Sequence, residues 1–155
     1  MHPAAPSTAA LWPDTSYEQL LERVRYEGVY ATREQAEKIT TDVLAALGRR
    51  LAADERVDLA ARLPFEAART LTCQIPDPTP LAGWAFVQDL ATRTRTGTAA
   101  TRWAAGTVLR AVAALAGPEL LDRILTHLPP GYALLFGRAE LTQTRAGNRL
   151  AGAGN

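Results

Sequence analysis

The chain repeats itself at a fixed spacing. Val43-Leu44 and Leu63-Pro64 return as Val108-Leu109 and Leu128-Pro129, each 65 residues further on. Self-similarity at one period means that a single supersecondary unit has been used twice, which restricts the fold more than any single residue does. In a chain of 155 residues that leaves one domain, or two small units that must lean on each other.

The unit is helical. Thr15-Ser16-Tyr17-Glu18 has the spacing of a capping box, with Thr15 as N-cap and Glu18 three residues on. A first helix then carries Leu20, Leu21 and Val24 on one face and ends near Gly28. Thr32 and Gln35 open a second helix in which Ala36, Ile39, Thr40, Val43, Leu44, Leu47 and Leu51 form one stripe. Gly48 is expected to end or bend it. A third helix runs from about Ala53 to Arg62, and Leu63-Pro64 stops it because a residue before proline is pushed out of the α region. Pro64 then starts a short fourth helix reaching about Leu71.

After a segment containing Pro76, Pro78 and Pro80 the cycle restarts. Phe86, Val87 and Leu90 take the places of Leu20, Leu21 and Val24, with one residue fewer in the following loop. Pro118, just after Gly117, begins the third helix of this copy. No segment has strand alternation bounded by turn signals. The expected fold is all-α: two tandem, pseudo-symmetric modules of about four helices forming one helical bundle. The expected divisions are a mobile segment at 1–14, a first repeat at 15–73, a Pro-rich linker at 74–83, a second repeat at 84–137 and a flexible tail at 138–155.

The matched segments, TDVLAALGRRLAADERVDLAARLP and GTVLRAVAALAGPELLDRILTHLP, resemble a bacterial family known as domain of unknown function 2267. Its members look like a helix followed by VLxxLxxRLxxxExxDLxxxLP, often in two copies. The resemblance covers most of Tyr17 to Leu135 and is most specific at Leu47, Leu51, Asp58, Leu59 and Leu63-Pro64. The second copy departs from it, with Arg123 in place of Asp58 and Ala116 in place of Leu51. The resemblance implies a helical fold and a bacterial, actinobacterial and cytoplasmic protein. It implies no activity and no catalytic residues.

Composition excludes more than it suggests. A net charge of +1 provides no bulk field toward nucleic acid or anionic membrane. Cys73 is the single cysteine, so an intrachain disulfide is impossible. No stretch approaches the roughly 20 apolar residues that span a bilayer, and no signal peptide is expected. Phosphate-binding loops of the GxxxxGK[ST] or GxGxxG kind are missing. His2 and His127 with one cysteine do not make a metal set. Asp54, Glu55 and Asp58 form the densest carboxylate group, expected as an exposed ladder with Arg62 four residues beyond Asp58. Neither an enzyme nor a cofactor is expected.

Two surfaces remain as candidates. Between Asp89 and Glu119 there is no acidic residue, while Arg93, Arg95, Arg102 and Arg110 fall inside, with Thr92, Thr94, Thr96, Thr98 and Thr101 among them. Such a stretch suits phosphates or an acidic partner. The other surface comes from asymmetry between the copies. Lys38, Arg50, Glu55, Arg56 and Arg69 become Trp103, Leu115, Leu120, Leu121 and Leu134. If a charge in one copy marks a surface position in both, these apolar residues pack between the copies or meet a partner. Trp103 is the expected anchor. The leading expectation is a non-enzymatic helical protein-interaction module that binds another protein or itself. The alternative is a nucleic-acid or nucleoid-associated protein using the Arg93 to Arg110 surface.

Overall fold

A computed structural model describes residues 15–138, and within them every regular element is an α-helix. The order is α1 Tyr17–Gly28, α2 Arg33–Arg50, α3 Ala53–Ala60, α4 Phe65–Thr72, α5 Gly83–Thr94, α6 Thr98–Ala116, α7 Pro118–His127 and α8 Tyr132–Leu135. The segments expected at 1–14 and beyond Arg138 lie outside the described residues.

Local chemistry sets the ends. The first capping box lies one residue later than Thr15 suggested. The Ser16 hydroxyl accepts from the Gln19 amide at 3.1 Å, and the Gln19 side chain accepts from the Ser16 amide at 2.9 Å. Gln19, not Glu18, closes it, which leaves Glu18 free to bind Arg33 on the next helix at 2.6 Å. Thr32 caps α2 as expected, accepting from the Gln35 amide at 3.1 Å. Pro64 is the residue before α4, not part of its first turn, whereas Pro118 does occupy the start of α7.

Helices α1 and α5 end alike. Val29 and Arg95 both adopt left-handed backbone, with φ 57° and 56°. The amides that follow them, of Tyr30 and Thr96, reach back to the Arg25 and Ala91 carbonyls at 2.9 and 3.1 Å. This is the Schellman arrangement, and it occurs here without the usual glycine.

The long helices α2 and α6 form the centre. Helix α2 packs on α1, α4, α5 and α6, and α6 packs on α1, α2, α5, α7 and α8. The predicted stripe is the buried face of α2: Ala36, Thr40, Val43, Leu44, Leu47 and Leu51 are buried, and Ile39 is partly so. Val108, Leu109 and Val112 repeat that face on α6, and Phe86, Val87 and Leu90 are buried like Leu20, Leu21 and Val24.

Gly48 neither ends nor bends α2, which continues to Arg50. Its role is close approach: a Cβ there would lie 2.2 Å from the Leu71 carbonyl oxygen, so only glycine lets α4 sit this near to α2. The Pro-rich stretch between α4 and α5 is held against the body. Arg50, its side chain 6% exposed, pairs with Asp77 at 2.8 Å and donates to the Thr79 carbonyl at 2.5 Å. The Asp77 amide donates to the Arg49 carbonyl at 2.9 Å, and the Arg56 guanidinium donates to the Gln74 carbonyl at 2.7 Å.

Candidate functional site

Helix α6 turns one stripe outward. Ala99, Arg102, Trp103, Gly106 and Arg110 lie three or four residues apart, so they share a face. With Leu134 and Leu135 of α8 they line a groove of about 350 Å³. Trp103 is 51% and Leu134 55% exposed, so two large apolar groups meet solvent side by side.

Trp103 does not swing freely. Its indole Nε1 donates to the Gly28 carbonyl at 3.0 Å. That carbonyl belongs to the last turn of α1, where helix oxygens lack an intrahelical partner. The bond satisfies α1 and at the same time sets the ring in place on α6. Next to it Gly106 leaves the space taken by the Arg110 guanidinium, whose Nη1 would be 3.0 Å from a Cβ at that position. Arg102 and Arg110 are exposed, and among the described residues neither meets a carboxylate.

The groove therefore unites parts of both candidate surfaces. Trp103 and Leu134 come from the apolar set, and Arg102 and Arg110 from the basic set. The remaining basic residues lie elsewhere: Arg93 is engaged by Asp89 at 2.8 Å on α5, and Arg95 is the left-handed cap of that helix. Three of the apolar set point inward. Leu120 and Leu121 are 6% and 2% exposed within the core, and Leu115 is partly buried against it.

The premise behind that set holds at two pairs, where Lys38 and Arg69 are exposed like Trp103 and Leu134, and fails at the others. Glu55, the counterpart of Leu120, is itself 5% exposed. It is not part of a solvated ladder. Its carboxylate lies 2.9 Å from His127 Nδ1 and 3.9 Å from Arg123. Asp58 pairs with Arg123, not with Arg62. Arg62 instead donates to the Ala116 carbonyl at the end of α6, at 2.7 Å. A polar seam thus joins α3 to α7 with each half supplying one sign of charge. Its only trace in the sequence is the exchange of Asp58 for Arg123 at the repeat offset.

Nothing in the described residues assembles a recognisable catalytic set. No group of three His, Cys, Asp or Glu is placed to hold a metal ion, and Cys73 is exposed. No described helix is long and apolar enough to cross a membrane. His127 Nδ1 faces the Arg123 carbonyl at 3.1 Å and the Glu55 carboxylate at 2.9 Å.

Helices that cap one another and present a pinned indole define an all-helical domain among the described residues. The family model described as Uncharacterized conserved protein (DUF2267) matches residues 17–135, and the chain belongs to that family. No curated protein matches it.

Proposed function

We propose that the chain is a non-enzymatic helical interaction module whose contact face is the groove between α6 and α8. The observation that carries this is Trp103: half-exposed, yet fixed by its hydrogen bond to Gly28, with Leu134 beside it. A large aromatic side chain held in its bound rotamer loses little entropy on association, which is how interface anchors gain affinity. Arg102 and Arg110 flank it without carboxylate partners among the described residues, so the face suits a protein segment that offers an apolar side chain between acidic ones. Such a module would work in a bacterial cytoplasm.

The nucleic-acid alternative is less well supported. Its four arginines do not form one surface, since Arg93 is neutralised by Asp89 and only Arg102 and Arg110 line the groove.

The test compares the full chain with a Trp103→Ala/Leu134→Ala variant by light scattering after size exclusion and by crosslinking capture in the native cell. The expected result is a defined partner, or a second copy, that is lost in the variant and kept in Arg93→Ala. A strict monomer whose captured proteins do not depend on Trp103 would overturn the proposal. So would a salt-sensitive mobility shift with duplex DNA that Arg93→Ala abolishes.

A further inference from the structure

We propose that residues 139–144 of this same chain occupy the Trp103 groove, so that a partner enters by displacing them. The inference rests on the reading of that groove as the contact face and adds what fills it in the free molecule.

The groove and the end of the described chain are one place. Leu134 and Leu135 of α8 line the groove. Two residues later Gly137 turns the backbone against it: a Cβ there would lie 3.1 Å from Cγ and Cδ of Arg110, itself a lining residue. The Gly137 φ of 81° lies in the left-handed region that glycine enters without strain. Arg138 is then fixed twice. Its amide donates to the Ala133 carbonyl at 2.7 Å, and its guanidinium pairs with Asp122 at 2.5 Å. The chain therefore leaves beside the Arg110 end of the groove.

The segment that follows, 139–155, lies outside the described residues. Its first six residues are Ala139-Glu140-Leu141-Thr142-Gln143-Thr144, with one acid, one large apolar side chain and no base. Arg145 and Arg149 come only after them. The groove offers the complement in matching order. Arg110, which meets no carboxylate among the described residues, comes first, and the half-exposed Trp103 lies beyond it. Trp103 stands seven positions before Arg110 on α6, which is about 10 Å of helix. Three extended residues, from Arg138 to Leu141, span about 10 Å as well. Glu140 has the reach to pair with Arg110, and Leu141 the reach to cover the indole.

Tethering supplies what one ion pair and one leucine lack. So short a link sets the local concentration of the segment on the order of millimolar. A contact too weak to join separate molecules then still fills the groove, and a partner binds in proportion to the fraction of molecules whose groove is open.

The test attaches a nitroxide to Thr142→Cys in the full chain, with the exposed Cys73 changed to Ser, and follows broadening of backbone amide signals by NMR. Trp103, Gly106 and Arg110 are expected to broaden strongly, and α4, which packs on α1, α2 and α3, to stay sharp. Glu140→Arg and Leu141→Asp are each expected to weaken the broadening, and Arg110→Glu added to Glu140→Arg to restore part of it. No broadening at the groove, broadening spread evenly over the surface, or broadening that survives Glu140→Arg and Leu141→Asp together would each overturn the proposal. So would broadening passed from a spin-labelled chain to an isotope-labelled one, which would make the occupant a second copy. Crosslinking capture through Trp103 reads the contact face separately. Trp103-dependent capture without broadening overturns this inference alone. Groove broadening without such capture upholds the segment as occupant and overturns the partner reading instead.

Discussion

Asp58 and Arg123, 65 positions apart in the chain, face each other as an ion pair across α3 and α7. Matching places in the two halves have become complementary in charge, so they can attract where two copies of Asp58 would repel. The favourable field around Arg123 is completed by Glu55 and Asp54, which with Asp58 raise the pKa of its guanidinium.

A charge exchange tests this relation. Arg123→Asp is expected to lower the melting temperature by placing a fourth carboxylate beside Asp54, Glu55 and Asp58. Adding Asp58→Arg is expected to recover part of the loss. Both side chains are about half exposed, so the recovery should shrink in about 1 M salt, where the screening length falls to about 3 Å. Thermal melts of the two single variants and the double variant at low and high salt check it. A double variant no better than the sum of the singles would show the two sites to be independent.

Trp103 and Leu121 occupy matched asymmetric positions but should respond differently to truncation. Leu121→Ala empties core volume and is expected to cost about 2–5 kcal/mol. Trp103→Ala removes a half-exposed ring and one hydrogen bond to Gly28, a loss of about 1–2 kcal/mol. Urea denaturation of both variants distinguishes them. A Trp103→Ala cost equal to that of Leu121→Ala would mark Trp103 as structural rather than as a contact residue.

Gly48→Ala is expected to destabilise the chain by about 1–3 kcal/mol although alanine is the better helix former. The added carbon meets the backbone carbonyl of Leu71, which cannot rotate aside. A lower urea midpoint with an unchanged slope is the signature to look for.

Tyr132 makes stability depend on alkaline pH. Its hydroxyl donates to the Leu81 carbonyl at 2.9 Å, and burial pushes its pKa up to about 12 from 10.0. The folded state therefore keeps the proton where the unfolded chain releases it. The stabilisation is complete below pH 10 and is lost as pH rises toward 12. Tyr132→Phe should start less stable, for lack of the hydrogen bond, yet lose less between those limits. Melting temperatures from pH 9 to 12 read the two slopes.

What the sequence made legible was whatever depends on local spacing. The α2 stripe from Ala36 to Leu51, the repeat of Val43 as Val108, and Pro118 at a helix start follow from period and backbone chemistry alone. Contacts between distant segments were not legible. Gly48 looks like a helix stop until Leu71 is known to pass over it. Glu55 looks exposed until Arg123 arrives from the other half to compensate its charge, with His127 packed beside it. For the same reason the sequence left Leu120 and Leu121 open between packing inside the molecule and meeting a partner, and they are core. Trp103 was found through its departure from Lys38, but its bond to the Gly28 carbonyl lies 75 residues away and leaves no local mark.

The grip of Arg50 on the Pro-rich stretch bears on how this chain assembles. Two similar halves on one chain invite domain swapping, in which a half leaves its own partner for that of another molecule. Swapping needs a connection that can open into a hinge. Here Asp77 and Thr79 are clasped by one nearly buried arginine, with Arg49 and Arg56 holding the same segment. Opening that segment into a hinge would break the ion pair and every one of these hydrogen bonds together, a cost that weighs against exchange between chains.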